Sequence, residues 1–172
     1  LFSYMANCGI NYYRQPFSAY AGLDRRESSG DELFEFCEYL TEKVNEYGNY
    51  AGKALSIKDY GREGVRAMGK LGSEYPVLGG FYPKPKALGI SWVLSVQQLS
   101  GIYSPFTIEA NYNKDMVSYN IPHTLCHELS HLKGFMREDE ANFIGYLACI
   151  GSERGEFQYS GYMLGWIYAT NA

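Results

Sequence analysis

The stretch HTLCHELSHLKGFMREDEANF, His123 to Phe143, holds all three histidines of the 172-residue chain and, further on, three consecutive carboxylates. Two of the histidines frame His127-Glu128-Leu129-Ser130-His131, an HExxH string. In a helix, residues four apart lie about 40° apart around the axis and one turn along it, so both imidazoles face one point in space. Glu128 rides on the flank of the same turn. These are the groups a hydrolytic zinc site needs: neutral imidazole nitrogens for the ion, an open position for water, and a carboxylate to take that water's proton.

Leu125, Leu129 and Leu132 form an apolar stripe nearly opposite the histidines. The core contact of such a helix is therefore already supplied, and the histidines are not needed as filler. Gly134 reads as a helix stop, and Arg137 to Asn142 opens a second helix running through Ile150, with acidic residues in its first turn as the helix dipole favours. A tight turn between the two would bring them side by side. On the second helix Glu138, Asn142, Gly145 and Cys149 share one face, and Gly145 would allow a close approach. Glu138 is the expected third metal ligand, with Asn142 one turn on to hydrogen-bond a ligand histidine and fix its tautomer. Asp139 and Glu140 are less well aimed. A charged, solvated helix start is the plain alternative for Glu138.

The string Glu138-Asp139-Glu140-Ala141-Asn142 resembles the ExxA(D/N) element of gluzincins, in which the first glutamate binds the metal. The metzincin pattern HExxHxxGxxH fails, since Arg137 stands at its last ligand position and a guanidinium cannot coordinate a cation. More broadly, Gly101 to Cys149, GIYSPFTIEANYNKDMVSYNIPHTLCHELSHLKGFMREDEANFIGYLAC, resembles the core of a family of bacterial membrane proteins classed as a domain of unknown function and regarded as zincin-like. NYYRQPF, Asn11 to Phe17, resembles the segment that follows the last membrane helix of those proteins. The resemblance implies a membrane-anchored, extracytoplasmic metallopeptidase domain acting on a peptide or protein substrate that it does not specify. Residues 1–172 then read as a single zincin-like domain, a soluble fragment anchored through segments absent from this chain.

Composition agrees with a globular domain, at 46% hydrophobic and 20% charged residues. The longest apolar stretch, Ala87 to Val96, is too short and too interrupted to span a bilayer. A net charge of −4, with scattered basic residues, argues against a nucleic-acid partner. Cys8, Cys37, Cys126 and Cys149 match no zinc or redox framework and read as buried thiols. Cys126 and Cys149 would lie on the two metal-site helices, close enough to pack together. A disulfide between some pair stays open.

Elsewhere, Ser29 with Glu32 gives a capping-box signal for a helix over Asp31 to Tyr47, and a second helix is expected from about Ser56 to Leu71, followed by a loop through Pro85. Ala87 to Leu99 is ambiguous between strand and short helix. Gly101 to Lys114 reads as extended, with Pro105 at an edge or bulge. Zincins place an edge strand at this point, where it can hold an extended substrate; an ordinary structural hairpin fits the residues equally. Asn120 and Pro122 are expected to start the metal helix as cap and first-turn proline. Among the seventeen tyrosines, Tyr12, Tyr13, Tyr159, Tyr162 and Tyr168 fall near the ends, and one of them or His123 could donate to the oxyanion formed at a carbonyl.

The chain thus reads as an α+β, mostly helical, zincin-like domain binding one Zn²⁺ through His127, His131 and Glu138. Glu128 would take a proton from water and pass it to a leaving amine. A second reading is a sensor or assembly domain that binds zinc without hydrolysis. A third is an interaction domain with no metal.

Overall fold

The computed structural model describes residues 1–89 and 91–172, with Val93 as backbone alone. Along the chain run α1 (Phe2–Asn7), α2 (Phe17–Ala21), α3 (Gly30–Glu46), α4 (Ile57–Glu74), β1 (Lys86–Ala87), α5 (Ser91–Val96), β2 (Gly101–Ser104), β3 (Glu109–Tyr112), α6 (Asn120–Leu132), α7 (Glu138–Ile150) and α8 (Gly155–Thr170). The architecture is α+β and mostly helical. No helix among the described residues is long and apolar enough to cross a membrane.

Local chemistry sets the longer helices. Ser29 and Glu32 form the expected capping box at α3, each side chain taking the other's backbone N–H. Ser56 caps α4 by accepting from the Asp59 amide. α4 runs a turn beyond the expected end because Gly72 is a packing residue, not a stop. A Cβ there would lie 2.9 Å from the Leu78 carbonyl and 3.0 Å from Gly79 Cα. The glycine lets the loop cross the helix.

The sheet has the order β1-β3-β2, with β1 parallel and β2 antiparallel to β3. The extended stretch from Gly101 is therefore a hairpin. Pro105 lies in its turn, where the missing N–H costs no ladder bond, and β2 is left at the sheet edge. In the ambiguous stretch from Ala87 to Leu99, Ala87 closes the two-residue strand β1 and the short helix α5 follows; Ile90 lies outside the described residues.

α6 is the central element, packed against α4, α7, α8 and the β2–β3 hairpin. The leucine stripe does enter the core, with Leu125 and Leu129 fully buried, but α8 and β2 cover the other sides as well. Asn120 is not the cap. Tyr119 occupies that position without a side-chain bond, Asn120 is the first helical residue, and Pro122 is the third. The first-turn amides need no partner from the helix itself, so proline is still tolerated there.

α6 ends in a Schellman turn. The Gly134 amide donates to His131 O and the Phe135 amide to Ser130 O, with Gly134 at φ +85°. The N-terminal segment braces this turn from outside. Arg14 donates to Lys133 O and lies 4.5 Å from the Phe135 ring centroid, while the Phe17 amide donates to Glu140 Oε1 at 3.1 Å. Phe17 itself is buried edge-on against Phe135. A side chain at Gly134 would need a left-handed backbone and would place Cβ 2.9 Å from Arg14 Nη1. Gly134→Ala should therefore destabilise the fold by about 1–3 kcal/mol. Urea unfolding measures this, and an unchanged midpoint would contradict the role assigned to the turn.

Candidate metal centre

The tight turn at Gly134 folds α7 back on α6, and this alone decides which of three consecutive carboxylates meets the histidines. Glu138 is the first residue of α7 and points to them. Asp139 faces solvent, 3.5 Å from Arg25, and Glu140 turns inward to the Phe17 amide. Glu138 Oε2 lies 3.2 Å from His127 Nε2, and Glu138 Oε1 lies 3.6 Å from His131 Nε2. All three donor atoms fall within 4.8 Å of one another. Two ligands bonded to zinc at about 2.1 Å and held at the tetrahedral angle stand about 3.4 Å apart. The two distances from Glu138 to the histidines bracket that edge.

The hydrogen bonds on the far side of each ring complete the fit. His127 Nδ1 lies 2.7 Å from Asn142 Oδ1, and His131 Nδ1 lies 2.7 Å from Phe135 O. Each Nδ1–H is thereby committed to an oxygen, leaving Nε2 on both rings turned to Glu138 and able to take a metal. Asn142 reaches His127 because Gly145 lets the helices close in. A Cβ at that glycine would lie 3.3 Å from both the His127 amide and the His123 carbonyl. The Tyr168 hydroxyl donates to the same Asn142 Oδ1 at 3.3 Å.

Charge in this cluster is mutually adjusted. Burial pulls the pKa of His127 down, but the Glu138 hydrogen bond, the Glu128 and Glu138 charges and Asn142 together leave it above its ordinary value. Burial and the charge of His127 lower His131. The hydrogen bond from His127 lowers Glu138, which is otherwise exposed. A proton on His127 answers Glu138, and a divalent cation placed between them could replace that proton.

Glu128 sits beside these three side chains, 5% exposed, and its Oε2 is buried with no hydrogen-bond partner among the described residues. Burial raises its carboxyl to about 7, with His127 opposing and Glu138 adding to the rise. β2 passes directly over it. A Cβ at Gly101 would stand 2.8 Å from Glu128 Cγ, so only glycine lets the strand cross there. The ligands, Glu128 and β2 share one cleft of about 540 Å³, which also takes in Tyr12, Met136, Leu164 and Tyr168.

His123 lies on the same cleft but is turned away from the ligand point. Its Nε2–H donates to Asn142 O at 3.1 Å, its backbone amide donates to Ser160 Oγ, and the residue is 3% exposed. With its ring proton committed, it does not supply the oxyanion donor suggested by its position in sequence. Burial, and then the charge of His127, push its pKa down to about 4. The ring is neutral when folded and protonates at about 6.5 when unfolded. Its contribution is thus fully present above pH 6.5 and is lost as pH falls toward 4, a change of about 3 kcal/mol. Acidification from pH 7 to pH 4 should cost a His123→Gln variant correspondingly less than the parent, as read by urea unfolding. Equal losses would refute the assignment.

The structure brings His127, His131, Glu138, Glu128 and Asn142 together. Sequence reasoning missed the Gly101 crossing, the Phe135 carbonyl, and the contribution of α8 through Ser160, Leu164 and Tyr168. Only the tyrosines of α8 carried a signal, as candidate donors without a placement. Cys126 and Cys149 pack as expected across the two helices, as free thiols with sulfurs 3.9 Å apart.

A family model described as Protein of unknown function (DUF3810) matches residues 1–172, and the chain belongs to that family. No curated protein and no solved structure matches the chain.

Proposed function

We propose that this family member is a zincin-like, gluzincin-type metallopeptidase holding one Zn²⁺ through His127, His131 and Glu138. The observation that carries the reading is the convergence of both Nε2 atoms and the Glu138 carboxylate at ligand spacing, each histidine Nδ1 being already paired. Beside them Glu128 is a buried carboxyl without a partner, poised near neutral pH. A purely structural zinc site has no use for such a group. This favours hydrolysis over a sensor or assembly role.

When bound, zinc supplies Lewis acidity, lowering the pKa of a coordinated water and polarising a substrate carbonyl. The chain does the rest. Glu128 accepts a proton from the attacking water and returns it to the departing amine, a task suited to a carboxyl whose pKa lies near the working pH. Asn142 and the Phe135 carbonyl hold the two imidazoles in one tautomer and one orientation. β2, at the sheet edge beside Glu128, offers main-chain groups to an extended peptide. Tyr168 lines the cleft and is a hydroxyl that could meet an oxyanion, since its bond to Asn142, the only one among the described residues, is at 3.3 Å long and easily exchanged.

The resemblance to membrane-anchored zincin-like proteins supports an extracytoplasmic setting at a cell membrane. The reading predicts that the zinc-reconstituted protein cleaves an unfolded protein substrate and stops on chelation. Cleavage unaffected by chelator would overturn it.

A further inference from the structure

We infer that the site is built to cut within a chain, between apolar or aromatic residues, and not to remove residues from a free terminus; this rests on the peptidase reading above. An enzyme that trims termini must hold a charge at one end of its substrate. An α-ammonium needs a carboxylate beyond those serving the metal and the water, and an α-carboxylate needs an arginine, a lysine or a comparable donor.

Among the described residues the cleft has neither. Its lining contains no lysine, arginine or aspartate, and its two carboxylates are Glu128 and Glu138, both already committed. His127 and His131 are taken up as ligands, and the His123 ring proton is committed to Asn142 O. With zinc bound, its charge would face Glu138 and Glu128, and beyond these and the histidines the lining holds no further carboxylate, lysine or arginine with which to sort charged side chains.

What it does offer is apolar surface in the open. Tyr12, Ile102 and Tyr168 each expose about half of their surface, at 51%, 46% and 47%, and all three line the cleft with Tyr103, Met136 and Leu164. The rest of the lining adds neutral polar groups, Gln98, Ser100, Asn120 and Thr124, so a substrate lysine or aspartate would lose water without gaining a partner of opposite charge, whereas a leucine or phenylalanine would gain by burial. The edge of β2 adds main-chain recognition that is indifferent to side chain and to the position of the termini. Apolar contact and backbone pairing describe an internal peptide segment.

The test uses peptides that are acetylated and amidated, carrying either Leu-Phe or Lys-Asp pairs around the central bond, alongside the Leu-Phe peptide with both ends free and short free-ended dipeptides. Binding is measured calorimetrically with the zinc-loaded Glu128→Gln variant, and cleavage with the zinc-loaded parent by mass spectrometry. We expect the blocked Leu-Phe peptide to bind at least about tenfold more tightly than the Lys-Asp peptide. It should bind as well as its free-ended form and be cut internally, with dipeptides left intact. Tighter binding of free-ended peptides, or release of single terminal residues, would overturn the inference and leave the peptidase reading standing. Equal affinity for the apolar and charged peptides would also overturn it. The expected binding order with no cleavage by the parent would support the specificity and sink the peptidase reading instead.

Discussion

Zinc-loaded protein with Glu128→Gln is expected to hydrolyse peptides roughly 10²–10⁴-fold more slowly than the parent while holding the same amount of zinc. The substitution is nearly isosteric, and Glu128 makes no ion pair whose loss would disturb the fold. Its Oε2 has no partner, and its carboxyl, raised to about 7 by burial, is already half neutral at that pH. The side-chain amide would fit under Gly101 as the carboxylate does but would have no basic oxygen able to take up a proton. Zinc content by elemental analysis and turnover on an unfolded protein separate the two roles. Equal turnover in parent and variant would remove Glu128 from the chemistry, and loss of zinc would place it among the ligands.

Free zinc at about 1,000 times its dissociation constant should raise the unfolding free energy by about 4 kcal/mol, and the double variant His127→Ala, His131→Ala should gain nothing. The proposed ligands come from two helices, so an ion held by them would bridge the end of α6 to the start of α7 and would be lost when that pair unfolds. The gain should shrink on acidification. Zinc would take the place of a proton on His127, whose pKa stands above the ordinary histidine value, so affinity should fall as pH drops through that titration. Denaturant titrations with and without zinc at two pH values provide the measurement. A zinc effect that survived in the double variant would locate the ion elsewhere.

The parts of this site legible in sequence were those set by short-range geometry. His127 and His131 share a helical face by spacing, Gly134 announces the turn, and Glu138 follows as the first residue of the next helix. Asn142 could be placed for the same reason, being one turn further along. Features set by distant chain were not legible. That β2 crosses Glu128 at Gly101, or that His123 faces away with its proton on Asn142, depends on how separate elements stack. α8 escaped because it is apolar around most of its circumference, with aromatic residues and glycines that lack a helical stripe. Gly161 and Gly165 look like breaks, yet they admit Cys149 and Tyr146 at close range. Asn120 was mistaken for a cap because asparagine favours that role, whereas here the preceding loop ends one residue earlier.

The central claim is that one zinc ion is held by two helices through three side chains. Elemental analysis of the purified, tag-free protein beside its Glu138→Ala variant, both dialysed against limiting zinc, tests it most directly. The account predicts close to one zinc per chain in the parent and a clear loss in the variant, since two imidazoles alone are a weak site. A parent that retains no zinc after it has been supplied, or a variant that holds it as tightly, would contradict the account.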